Sequence, residues 1–295
     1  MTELFETAVA SERSFEQHLV VASDVPWSPE MELIYRAQHP RQYPSQSGQL
    51  EQDARQALTS QDPPRRVLGI RVLAHALAPA DLVETLLPFA SDEDDNVKRE
   101  VAWAFYTTPH VDAVPTLLRL SHSEDSDLRR GCAAALGKCA EPDDLMTSDD
   151  DTWDESFTSE VTPEDDNSDE DQSAIDRLIE LTSDNDGKVR AMATMSLADC
   201  ESTDDSVIAA LKQRASDADA FTQQEALVGL ICRRDDTAYD LMRVKAEEHS
   251  LERWMIQAMA DSGDLRYREL LTRARLDNDD LTEEIDLALL ALGED

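Results

Sequence analysis

The stretch Asp127-Leu128-Arg129-Arg130-Gly131-Cys132-Ala133-Ala134-Ala135-Leu136-Gly137 decides the fold. It places an apolar residue, a basic residue and then small and apolar residues behind an Asp-rich turn. The same order occurs in Asp94-Asp95-Asn96-Val97-Lys98-Arg99-Glu100-Val101-Ala102-Trp103-Ala104-Phe105 and in Gly187-Lys188-Val189-Arg190-Ala191-Met192-Ala193-Thr194-Met195-Ser196-Leu197. Phe221-Thr222-Gln223-Gln224-Glu225-Ala226-Leu227 is a degenerate copy, and weaker ones begin near Pro64 and Leu251. The copies start at 64, 97, 128, 189, 221 and 251, with spacings of 33, 31, 61, 32 and 30 residues. Recurrence at a fixed period marks a repeat architecture. The one long spacing is a period plus an insertion the size of the acidic block 143–172.

Second apolar patterns lie between the copies: Leu82-Val83…Leu86-Leu87, Val111…Val114…Leu117-Leu118, Ile175…Leu178-Ile179 and Val207-Ile208…Leu211. Steps of three and four put these residues on one helix face, and no period-two run supports a strand. Each repeat is therefore a pair of antiparallel helices. One pair cannot bury both its apolar faces, so it stacks on its neighbours. The small residues Ala102, Ala133 and Ala193 let helices approach closely.

The expected fold is all-α: an α-solenoid of about six stacked helix pairs, with capping helices at both ends and a disordered acidic insertion. The expected segments are a cap and loop at 1–60, repeats at 61–142 and 173–278, the insertion at 143–172 and a capping helix at 279–295. At the first end, Leu4, Phe5, Ala8, Val9, Phe15, Leu19 and Val20 predict amphipathic helices, and His39-Pro40-Arg41-Gln42-Tyr43-Pro44 a loop. At the last, Asp280 with Glu283 predicts a capping box ahead of Leu281, Ile285, Leu289 and Leu292. The insertion carries 14 carboxylates and no Lys or Arg, too much charge to offset the entropy of ordering it.

The Asp, Val-Arg, Ala-rich, Leu-Gly order resembles the HEAT repeat family, in particular the short type also found in bilin lyases. Leu128-Arg129-Arg130 through Leu136-Gly137 and Val189-Arg190 carry the resemblance, which extends over 62–276. The Phe221 copy lacks the Arg and the Leu251 copy has Glu252 in its place. The resemblance implies a right-handed helical solenoid that binds proteins, with the second helices lining its concave side. It also implies that Arg65, Lys98, Arg129 and Arg190 form a ladder of ion pairs with inter-repeat aspartates.

The 295 residues hold 27 Lys and Arg against 64 Asp and Glu, a formal charge of −37. Without the insertion the other 265 residues still carry −23, so the acidity belongs to the whole chain. Such a surface offers no broad cationic face to displace phosphate counterions, which excludes a nucleic acid as partner. No run of 18 apolar residues spans a membrane, and the first residues, Met1-Thr2-Glu3-Leu4-Phe5-Glu6, lack the order of a signal peptide. The expected location is the cytoplasm. Cys132, Cys139, Cys200 and Cys232 lie in helical apolar patterns and form no C-x2-C, so they read as buried thiols. His18, His39, His75, His110, His122 and His249 form no metal motif. There is no phosphate-cradling glycine loop and no nucleophile elbow. The chain is read as a non-enzyme with no catalytic, cofactor or metal residue.

Candidate partner surfaces follow from helix geometry. Counting each repeat's first apolar residue as zero, positions +2 and +6 point outward at about 200° and 240°. Position +6 is apolar at Ile70, Trp103, Met195 and Leu227, a stripe to be covered by residues 1–60 or by a partner unless the weak repeats are misaligned by one residue. On the second helices, Asp81, Glu84, Asp112, Thr116, Asp176, Arg177 and Glu180 form a mainly acidic surface suited to a basic protein. Trp153 and Phe157 in the insertion make a candidate docking segment. The expected function is a protein-interaction scaffold in a salt-rich cytoplasm. The alternatives are an acidic inhibitor or immunity protein acting on a basic effector, and a lyase-like cofactor-attachment factor or enzyme subunit.

Overall fold

In a computed structural model, residues 29–39, 42, 44–139, 168–276 and 279–293 are described. Among these the chain forms fifteen α-helices, three short 3-10 segments and no strand: it is an all-α solenoid of stacked helices. It divides into two compact units at the 174/175 boundary. The Leu4–Val20 stretch, Trp153 and Phe157 lie outside the described residues.

The first unit contains α1 (Pro29–Gln38), α2 (Pro44–Leu58), α3 (Pro63–Ala76), α4 (Pro79–Leu86), α5 (Asp95–Thr107), α6 (Val114–Leu120) and α7 (Ser126–Cys139). The first helices of successive repeats pack directly, α3 on α5 and α5 on α7, while α1 and α2 cover the other side of α3. Among the described residues two helices thus precede the first repeat, in a stretch where the sequence shows no copy of the motif. Enclosure on several sides explains why α3 buries Val67, Leu68, Gly69, Ile70, Val72, Leu73 and Ala74. Contact at α2 is close because position 69 is glycine: a Cβ there would stand 2.8 Å from the Ala54 carbonyl oxygen.

The second unit contains most of α8 (Ser168–Leu181), then α9 (Gly187–Asp199), α10 (Asp205–Arg214), α11 (Ala220–Cys232), α12 (Asp236–Glu247), α13 (Arg253–Asp261), α14 (Arg266–Ala274) and α15 (Thr282–Ala291). First helices stack again, α9 on α11, α11 on α13 and α13 on α15, and α12 packs on α14. A Cβ at Gly229 of α11 would stand 2.9 Å from both Cα and Cβ of Ala198 in α9, so this crossing admits no larger residue without movement.

Two expectations at the edges change. Residues 168–172, inside the expected disordered block, already belong to α8. The Ala174, Ile175 and Leu178 side chains supply a buried face. At the other end Asp280 lies in a 3-10 turn, and the N-cap of α15 falls on Leu281 without a side-chain cap. Ile285, Ala288 and Leu292 are the buried face there.

Candidate functional site

The turns before the first helices are built alike. Asp62, Asp94, Asp186, Asp219 and Glu252 occupy N-cap positions, and Asp125 accepts from the Asp127 and Leu128 amides ahead of α7. Their spacings of 32, 31, 61, 33 and 33 residues give the true register of the repeats. Two residues before the first five of these positions along the chain, a short polar side chain accepts the cap residue's amide. The pairs are Ser60 to Asp62 at 3.1 Å, Asp92 to Asp94 at 2.9 Å, Ser123 to Asp125 at 3.2 Å, Asp184 to Asp186 at 2.8 Å and Asp217 to Asp219 at 3.0 Å. Short Asp and Ser side chains favour this local turn.

Four residues after the cap sits the ladder position. Arg66 donates to the Ser60 carbonyl at 2.9 Å and forms a bidentate pair with Asp92 of the next turn, at 2.9 and 2.7 Å. Arg190 repeats this with the Asp184 carbonyl at 3.0 Å and Asp217 at 3.2 Å through both nitrogens. Arg190 holds the Asp217 carboxyl below the ordinary carboxylate range, outweighing its burial. Arg129 donates to the Ser123 and Glu124 carbonyls. The first rung is therefore Arg66 rather than Arg65, which lies 3.9 Å from Asp62 of its own turn. The second inter-repeat pair is Arg99 with Asp125 at 2.5 Å, while Lys98 pairs with Asp95 of its own helix at 2.6 Å.

The corrected register also resolves the apolar stripe. In the repeats read from Pro64 and Phe221 the aligned residues are Arg65 and Thr222, one position later. Thr222 is wholly buried and Phe221 is 49% exposed. Ile70 and Leu227 then shift from position +6 to +5 and lie in the core, at 0% and 4% exposure, so neither belongs to a free surface. Trp103 and Met195 keep their register and are half-buried. Trp103 meets Tyr106 edge-on at 5.7 Å, and the Arg130 guanidinium lies 5.9 Å over its ring.

The carboxylates singled out on the second helices all reach the surface. In the first unit Asp81 and Glu84 on α4 and Asp112 in a 3-10 turn are exposed, and α4 packs against that turn. Thr116 on α6 is half-buried. In the second unit Asp176 and Glu180 are exposed, and Arg177 is half-buried with a 2.5 Å pair to Glu180. Cys132, Cys139 and Cys200 are buried, and burial pushes the Cys139 thiol up to about 12. Cys232 is exposed at the end of α11, contrary to expectation, since Gly229, Leu230 and Ile231 of the same turn take the buried side.

A cleft of about 320 Å³ between α12 and α14 is lined by Tyr239, Leu270 and two ion pairs, Arg243 with Glu247 and Arg273 with Glu269. Its charges cancel internally. Among the described residues no group of His, Cys, Asp or Glu converges as for a metal, and no helix is long and apolar enough to cross a membrane.

Arg233 belongs to no motif in the sequence, yet it gathers more backbone than any rung of the ladder. At the end of α11 its guanidinium donates to the carbonyls of Leu197, Ala198, Cys200, Ser202 and Gly229, at 2.5–3.1 Å, closing the C-terminus of α9. Only its position one residue past an apolar helix hints at this role.

Residues 52–137 match the family model for HEAT repeats. No curated protein matches the sequence. Among solved structures, an engineered protein is similar over 99% of this chain and 78% of its own, at 18% identity and a TM-score of 0.51. The YibA protein of Escherichia coli is similar over 87% of this chain and 97% of its own, at 16% identity and a TM-score of 0.45. A designed armadillo repeat protein solved with a (KR)4 peptide covers 89% of this chain and 98% of its own, at 16% identity and a TM-score of 0.39.

Proposed function

We propose that the protein is a non-enzymatic interaction scaffold, and that the second helices of its repeats take a basic segment of another protein. The observation that carries this reading is the exposed carboxylate set Asp81, Glu84 and Asp112, supported on one layer of the first unit. Most arginines near the repeat turns are engaged in the ladder, so the exposed acids of these helices are left to face solvent or a ligand. A repeat array offers such a row of side chains on rigid, evenly spaced elements. Complementary charge raises association rates and rejects acidic competitors.

The test is a Lys/Arg-rich peptide titrated at low and high KCl, with an uncharged peptide of equal length as control. Binding falls steeply with salt, because exposed pairs are screened beyond a Debye length of about 10 Å at 0.1 M. The variant Asp81→Asn/Glu84→Gln/Asp112→Asn weakens it about tenfold, three surface pairs contributing roughly 0.5 kcal/mol each. Equal affinity for the basic and the uncharged peptide at low salt would end this reading.

A further inference from the structure

The ladder has one rung with its cation kept and its anion lost. Counted from the caps, Arg66 faces Asp92 and Arg190 faces Asp217, each aspartate two residues before the next N-cap. The equivalent pair in the second repeat is Lys98 and Ser123. Ser123 makes the same turn as the aspartates, accepting the Asp125 amide at 3.2 Å, but it brings no charge. Lys98 turns instead to Asp95, which is more than half exposed.

At this rung the molecule has a shallow, open pocket of about 330 Å³, lined by Lys98, Arg119, His122, Ser91 and Ser123 together with Asp92 and the apolar Ala90, Leu120 and Leu128. Arg119 is held there by a 3.4 Å bond from Nη2 to the Ala90 carbonyl. The single carboxylate in the lining, Asp92, is already bound through both oxygens by Arg66. Lys98, which keeps its pair with Asp95 at the rim, and Arg119 thus share the lining with His122 and two hydroxyls, and Asp92 is its one acid. The chain's charge of −37 opposes a broad anion-binding surface, but it does not reach this pocket at full strength, since charges beyond a Debye length are screened.

We infer that this pocket binds an oxyanion, which stands where the aspartate carboxylate stands in the other rungs. Lys98 and Arg119 supply the charge and the Ser123 hydroxyl a donor. The bound anion ties the turn before α5 to the turn before α7, as Asp92 ties Arg66 to its neighbour. This site is separate from the acidic surface proposed for a protein partner, and either can fail alone.

Thermal unfolding of the full chain in inorganic phosphate, in acetate and in chloride at matched ionic strength tests it. Phosphate raises the midpoint above chloride and the rise saturates; an equal rise in acetate assigns a carboxylate ligand, and a rise in phosphate alone a phosphate-bearing one. Ser123→Asp builds the missing carboxylate into the chain. It raises the midpoint in chloride and abolishes the anion-specific increment. Arg119→Gln lowers the increment without adding a carboxylate. Midpoints identical in all three salts, or an increment that survives in both variants, would overturn the inference.

Discussion

At the scale of single residues, the stack depends on positions where size or donor geometry leaves no alternative. Gly229 is one. Its missing Cβ lets α11 cross α9 at Ala198, so Gly229→Ala forces the helices apart and costs about 1–3 kcal/mol in urea unfolding. Gly48 is the contrast: it lies in α2, and a Cβ added there would meet nothing within 4 Å. Gly48→Ala therefore stabilises by roughly 0.5–1 kcal/mol through helix propensity alone. Arg233 is the second such position. Its planar fork serves several carbonyls at once, which a lysine ammonium does not match. Arg233→Lys and Arg233→Met both lower stability, the latter by about 2–4 kcal/mol, with the loss confined to the second unit in amide exchange.

At the scale of elements, the turn and the helix after it form one electrostatic device. Asp219 is held below its ordinary range by the Thr222 amide and hydroxyl, and Asp217 by Arg190. Burial opposes the shift at Asp125 and Asp264, yet the hydrogen bonds from Arg99 and Arg266 and from backbone amides prevail. A depressed folded-state pKa contributes stability that is present above the unfolded value of about 3.9 and lost as the pH falls through the folded value. Glu225 has the opposite sign: burial and the nearby Asp199 raise its pKa. Its ionisation weakens the fold, so stability is gained as the pH falls through its folded value. The Glu225 contribution to the melting temperature thus rises on mild acidification, against a loss from His75, whose pKa burial lowers, and the fold collapses below about pH 4. Glu225→Gln flattens the rise and leaves the collapse.

At the scale of the whole molecule, −37 charges on 295 residues repel one another wherever they are not paired. Unfolding midpoints climb with KCl, more steeply than for a chain of balanced charge, since screening relieves the folded state most. A midpoint unchanged between low and molar KCl would show that the acids do not serve salt adaptation, and would favour their role toward a partner. The scaffold reading makes a further demand at this scale. Repeat arrays gain stability from neighbour interfaces, so cutting the chain after α5 exposes the face of α5 that α7 covers and destabilises the helices that remain.

The period was legible in the sequence because one apolar-basic-small pattern must recur wherever equal helices stack. The all-α class, the small-residue crossings and the exposure of Asp81, Glu84, Asp112, Asp176 and Glu180 follow from local spacing, which periodicity reports directly. Register in the weak copies was not legible. Pro64 and Phe221 look like repeat starts by residue type, but the first helical bonds to the Asp62 carbonyl and the side-chain cap of Asp219 set the start one residue later and send Ile70 and Leu227 inward. The bounds of the described helices before Pro63, the carbonyls gathered by Arg233 and the uncharged Ser123 at the Lys98 rung were equally hidden. Each depends on which turn lies beside which helix, and that adjacency joins residues about 30 apart. Only the folded chain brings them together.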